Sequence, residues 1–234
     1  MAEIEDALKY LKTKQILFMD DTFTVDKKRV IEICNKIKRF NLNWGCLARV
    51  NTVDLETLKK MKESGCNWIG YGVETASQDI LNSIKKGITI EQIRKAFKLT
   101  HKVGIPTTAF FIMGHLDDTK ETILATIEFA KELDPTFVQY NLLTPYPGTE
   151  LYEVVKAEKR MNRSFEEYGN PKYKDPVIRP RNISNEQLKK YLKKANRNFY
   201  FRPKVLFRLG MNALKSKDEM KRLISLAKTY LKMG

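Results

Sequence analysis

Residues 68–74 read WIGYGVE, and the alternation within this heptapeptide points to an α/β chain. Successive side chains of an extended strand lie on opposite faces, so Ile69, Tyr71 and Val73 share one face and Gly70, Gly72 and Glu74 the other. The apolar face suits a covering layer of helices. The glycine face leaves room for bulk against the backbone, with a carboxylate at its rim. Outward from this segment, short apolar runs predict further strands at about 16–20, 44–49, 107–113 and 137–143. Between them, DKKRVIEICNKIKRF (26–40) sets Val30, Cys34, Ile37 and Phe40 at helical spacing, and DLETLKKMKESG (54–65) opens on a capping Asp54 and stops at Gly65. TIEQIRKAFKLTHKVG (89–104) and TKETILATIEFAKEL (119–133) repeat the design. Strand-to-strand distances of roughly 25–40 residues suit right-handed βαβ crossovers, in either a barrel-like or a doubly wound sheet.

The 234 residues, 42% hydrophobic and 30% charged, are enough for one substantial core. No window offers ~18 uncharged apolar residues, and MAEIEDALKYLK is acidic and amphipathic, unlike a secretory leader. A cytoplasmic location is the expectation. Cys34, Cys46 and Cys66 match neither a disulfide framework nor a close-spaced metal motif, so buried, reduced thiols are expected and no metal ligand is assigned.

The net charge of +15 is unevenly placed. Residues 1–150 hold 21 Lys and Arg against 20 Asp and Glu, whereas residues 151–234 hold 22 against 8. The break, marked by TPYPGTE (144–150), divides an α/β portion, 1–150, from a basic helical extension, 151–234. Helices are expected there at 151–160, 186–200, 203–214 and 217–233, after or around the connector GNPKYKDPVIRPRNIS. Such a tail suits RNA, an anionic lipid surface or an acidic substrate. Within it, NRNFYFRPKVLFRLG (196–210) interleaves Arg with Phe199, Tyr200, Phe201 and Phe207; the competing assignment packs these rings onto the rest of the protein and leaves the charges solvated.

Parallel α/β proteins bind ligands at the carboxyl ends of their strands. In order, those ends carry Asp20 and Asp21, then Arg49 and Asn51, then Glu74, then Gly114 and His115, and finally Gln139 and Asn141 on one face of the last strand. Structural roles compete at each place: a turn cap for one of the aspartates, a surface ion pair for Arg49, an ordinary loop position for His115. His101 reads as a structural helix residue.

These features, taken in order, resemble the radical S-adenosylmethionine (radical SAM) superfamily, in particular the branch whose members often carry a cobalamin-binding domain. The stretches that carry the resemblance are ILFMDDTFTVDKKRVIEIC, WGCLARVNTVDLETLKKMKESGCNWIGYGVETAS, KKGITIEQIRKAF, AFFIMGHLDDTKET and QYNLLTPYPGTELYE, covering about residues 3–155. The resemblance implies a partial (β/α) barrel, here lacking its first strand. It implies S-adenosylmethionine as ligand, with Asp20 or Asp21 on the ammonium group, Arg49 on the carboxylate, Glu74 near the ribose and Gly114 toward the adenine; Gln139 and Asn141 join as cofactor-binding candidates. It also implies a 4Fe-4S cluster, but the family's CxxxCxxC loop is absent, so the ligands are expected outside this chain, as is any cobalamin domain. GHLDDT further departs from the common Pro-Gly after that strand.

The expected function is therefore the core of a radical SAM enzyme, in complete form a methyltransferase or related C–H-modifying enzyme, with this chain alone inactive and a separate chain or upstream domain completing the barrel. No catalytic residue is assigned. The alternatives are a non-catalytic SAM-binding or scaffold subunit and a basic RNA- or membrane-associated module. In either case ILFMD is expected to form an exposed apolar sheet edge.

Overall fold

The computed structural model describes residues 1–11, 14–168 and 175–213. The helix expected at 217–233 lies outside the described residues. The strands β1 (Gln15–Phe18), β2 (Asn43–Ala48), β3 (Cys66–Glu74), β4 (Thr107–Met113) and β5 (Phe137–Leu142) form one five-stranded sheet in sequence order. β1 and β2, and β2 and β3, pair in parallel. Helices alternate with the strands: α1 (Ala2–Tyr10), α2 (Lys27–Ile37), α3 (Leu55–Glu63), α4 (Gln78–Ser83), α5 (Ile90–Val103) and α6 (Lys120–Leu133). Then come α7 (Glu150–Ala157), α8 (Asn185–Tyr200) and α9 (Pro203–Ala213). The alternating βα order expected from the sequence is the observed one.

The chain divides into two compact units. The first comprises residues 1–73, 85–110 and 133–137. Its helices start where side chains can satisfy orphan amide groups: Asp26 caps α2, Asp54 caps α3 through the Thr57 N–H at 2.8 Å, and Thr89 with Gln92 closes a capping box on α5. Gly65 ends the α3 segment with φ 99°, a left-handed conformation that glycine adopts without Cβ strain. Val30, Cys34 and Ile37, read from periodicity, are the buried face of α2, and α5 buries Ile93, Ala96, Phe97 and Thr100. The α2 helix stops at Ile37, so Phe40 falls in a following 3-10 turn and is half-buried.

On β3, Ile69 and Tyr71 are fully buried, and the Tyr71 hydroxyl shares a hydrogen bond of 2.9 Å with Thr100. Phe18, Phe23 and Trp44 form an aromatic cluster with centroid separations of 4.8–5.5 Å, and the Trp44 indole donates to the Ser64 carbonyl at 3.0 Å. The space beside Gly70 is taken by the chain itself. A Cβ there would lie 2.7 Å from Phe110, and 2.9 Å from both Leu47 and Trp68. The room for a ligand expected on this glycine face is, beside Gly70, filled by apolar side chains of the protein itself, so this point of the sheet is packed rather than open.

The second unit comprises residues 74–84, 111–132 and 138–234. Phe111 stacks on Tyr140 with centroids 5.3 Å apart, and Leu116, Val155 and Ile178 make a small satellite core. Helix α8 docks through Leu188, Ala195, Phe199 and Tyr200. The Tyr200 hydroxyl accepts from the Val138 N–H at 3.2 Å and donates to the Val138 carbonyl at 2.7 Å, satisfying both backbone groups of one β5 residue. Arg202 caps the arrangement, its guanidinium donating to the Lys131 carbonyl and lying 4.5 Å from the Phe199 ring centroid.

Candidate functional site

In the first unit the acidic pair follows β1. The strand ends at Phe18, two residues earlier than its apolar run suggests, so Asp20 and Asp21 occupy the turn beyond it and are exposed. Asp20 forms a 3.1 Å ion pair with Arg29 of α2. Neither aspartate caps that helix; Asp26 does. Arg49 follows β2 and is half-buried. Its partners are not carboxylates, as the surface ion-pair assignment would require. Nη2 donates to the Lys86 carbonyl at 2.6 Å and Nε to the Asn51 side-chain oxygen at 3.4 Å. These bonds hold the guanidinium in one orientation beyond the strand end.

In the second unit Glu74 ends β3 with φ 68°, a conformation that costs a non-glycine residue about 1–3 kcal/mol and clusters at ligand sites. Gly114, after β4, also has positive φ, 86°. This backbone conformation favours glycine, and a Cβ there would lie 2.7 Å from a terminal methyl of Leu188 of α8. Asp118 then locks the loop. One carboxylate oxygen accepts the N–H groups of Gly114 and His115, both at 2.9 Å, and the other accepts the Thr122 hydroxyl at 2.7 Å. This latch gives GHLDDT a fixed shape where a Pro-Gly turn was absent. It also commits the Gly114 N–H internally.

His115 corrects its assignment as an ordinary loop residue: it is 3% exposed and neither ring nitrogen has a hydrogen-bond partner. Burial lowers its pKa from the usual 6.5, against the opposing pull of Asp118 and Glu74, and favours the neutral imidazole. Sequence alone marked only its position. On β5, Gln139 and Asn141 are exposed on one face, opposite buried Val138 and Tyr140, with the Gln139 amide donating to Asn141 at 3.0 Å. Hydroxyl-binding groups on one strand face are thus present.

The three cysteines are buried in α2, β2 and β3. Desolvation raises all three thiol pKa values, that of Cys66 to about 12. Iron–sulfur ligation requires thiolates that converge on the irons. These residues do not fit a cluster, and no group of His, Cys, Asp and Glu suited to a metal occurs among the described residues. The donor set for S-adenosylmethionine does fit that ligand's chemistry: carboxylates for its ammonium group, a guanidinium for its carboxylate, and amide or carboxylate groups for its ribose hydroxyls.

The sequence profile of the Radical SAM superfamily matches residues 1–130, more than half the chain. The chain belongs to the radical SAM superfamily. That family uses S-adenosylmethionine and a 4Fe-4S cluster. An uncharacterized methyltransferase of Pyrococcus horikoshii is 42% identical over 198 residues, covering 83% of this chain and 42% of that protein. The bacteriochlorophyllide d C-12(1)-methyltransferase of Chlorobaculum tepidum is 26% identical, covering 81% of this chain and 41% of its own length. The radical SAM methyltransferase TsrM of Kitasatospora setae, solved with cobalamin and a [4Fe-4S] cluster, shares the fold with a TM-score of 0.61 at 20% identity, over 67% of this chain and 30% of that one. The radical SAM chain spans about two fifths of the length of the curated relatives it matches. No described helix is long and apolar enough to cross a membrane.

Proposed function

We propose that this chain is the S-adenosylmethionine-holding α/β core of a radical SAM enzyme, in complete form a methyltransferase or related C–H-modifying enzyme acting in the cytoplasm. The match of residues 1–130 to the superfamily carries the assignment, and the 42% identical methyltransferase supports its direction. Residues 1–150 are the cofactor-holding part and residues 151–234 a basic extension. The cluster ligands, and a cobalamin site where one is used, are assigned to an upstream domain or a separate chain, because the three cysteines here are buried thiols whose pKa values desolvation raises.

When bound, S-adenosylmethionine supplies a sulfonium whose cleavage generates the radical. The residues of this chain bind and orient it. Asp20 or Asp21 receives the ammonium, and Arg49, already fixed by Lys86 and Asn51, receives the carboxylate. The family resemblance assigns Glu74 to the ribose or its polar neighbourhood and Gly114 to the adenine side, with Gln139 and Asn141 as further cofactor-binding candidates. Orientation of this kind converts binding into reaction geometry without proton transfer by the protein. Equilibrium dialysis with labelled S-adenosylmethionine tests the assignment. Saturable binding should weaken at least about tenfold in Arg49→Ala and in the Asp20→Ala/Asp21→Ala double variant, the loss expected for a charge-assisted contact. Binding unchanged by both would refute these roles.

A further inference from the structure

The extension presents a surface that S-adenosylmethionine chemistry does not use. Residues 187–213 contain eight Lys and Arg and no acidic residue. Along α8 the buried positions are Leu188, Ala195, Asn196, Phe199 and Tyr200, while Lys190, Lys193, Lys194 and Arg197 recur at helical spacing and are exposed. Phe201, directly after the helix, is 59% exposed. On α9 the pattern continues with an apolar outer face. Val205 and Leu209 are buried, whereas Leu206, Phe207 and Met211 are exposed, Phe207 by 72%. Of the four aromatic residues that the sequence set among arginines, Phe199 and Tyr200 pack inward and Phe201 and Phe207 do not.

Scattered exposed apolar residues need no explanation, but four large ones within eleven positions, bordered by a one-signed basic face, do. We propose that the outer faces of α8 and α9 form a docking surface for an anionic lipid bilayer, on which the protein lies without spanning it. Phe201, Leu206, Phe207 and Met211 enter the headgroup–acyl boundary, and Lys190, Lys193, Lys194 and Arg197 meet the lipid phosphates. Charge complementarity selects an anionic partner, and the mixture of aliphatic with aromatic side chains selects acyl chains over nucleobases. Bases stack on aromatic or guanidinium planes, whereas Leu206 and Met211 offer none. The absence of any acid between residues 187 and 213 removes the local repulsion that would otherwise weaken the approach.

The test is co-sedimentation of the full chain with vesicles of phosphatidylcholine alone and of phosphatidylcholine mixed with phosphatidylglycerol in a three-to-one ratio. Partitioning should be at least about tenfold stronger onto the anionic vesicles and should fall with salt. A Leu206→Ser/Phe207→Asp variant, changed only at exposed positions, should lose about tenfold with an unchanged thermal transition, and Lys193→Gln/Lys194→Gln should weaken binding and flatten its salt dependence. Equal binding to both vesicles, or no binding to either, overturns the proposal. So does tighter binding to single-stranded RNA that survives Leu206→Ser/Phe207→Asp, and so does self-association that the same variant abolishes while vesicle binding is unaffected.

Discussion

The outermost strands of the sheet, β1 and β5, are treated in opposite ways. At β5, Tyr200 of α8 places one hydroxyl between the N–H and carbonyl of Val138. At β1, four residues pair with β2, while Leu17 is 50% and Met19 67% exposed. Helix α1, which precedes β1, buries none of its residues. An edge strand is a template for pairing unless something satisfies or blocks it. Helix α8 therefore has a structural duty at β5. The apolar run ILFMD lies at an edge of the sheet with Leu17 and Met19 exposed, as the sequence predicts.

Four substitutions or conditions follow from this contrast. Trp44→Ala, which dismantles the Phe18–Phe23–Trp44 cluster that anchors β1 from within, should cost about 4 kcal/mol in urea unfolding. Tyr200→Phe removes one oxygen yet leaves two backbone groups of Val138 without a partner, and should cost about 2 kcal/mol by the same measure. A far larger loss at Tyr200 than at Trp44 would mean that β5, not the aromatic cluster, limits stability.

The third effect belongs to the β4 loop in the second unit. His115 is buried and its pKa is depressed, so the unfolded chain binds a proton that the folded chain resists. The sign is fixed: its contribution is full above about pH 6.5 and is lost as pH falls from there toward the folded pKa, with a slope of at most about 1.4 kcal/mol per pH unit. Thermal unfolding across that range should show the slope in the wild type and its loss in His115→Gln. A flat wild-type profile would mean that protonated His115 finds compensation from Glu74 and Asp118. The smallest effect is expected at the open edge. Leu17→Lys should change stability by less than about 0.5 kcal/mol while reducing concentration-dependent association in sedimentation velocity.

Much of the architecture was legible because it rests on local periodicity. Ile69, Tyr71 and Val73 are buried as the alternation of WIGYGVE requires, Asp54 caps α3 and Gly65 ends its segment, and the cysteines are buried thiols. What escaped the sequence depends on partners far apart in the chain. Tyr200 meets Val138 across 62 positions, and the space beside Gly70 is filled from β2 and β4 as well as β3. The burial of His115 depends on tertiary packing around a loop that Asp118 latches, which no periodicity encodes. Among the candidate ligands, the carboxylates and Arg49 were visible as polar residues at strand ends. The carbonyl of Lys86 that orients Arg49 comes from a loop 37 positions on and carries no side-chain signature.

The division of labour proposed above, with S-adenosylmethionine held by this chain and the cluster by another segment, is tested by anaerobic reconstitution of the 234-residue chain with iron and sulfide, followed by electron paramagnetic resonance after reduction. The expected result is no stoichiometric, reducible four-iron cluster. A cluster that forms on this chain and disappears when Cys34, Cys46 and Cys66 are replaced by alanine would contradict it.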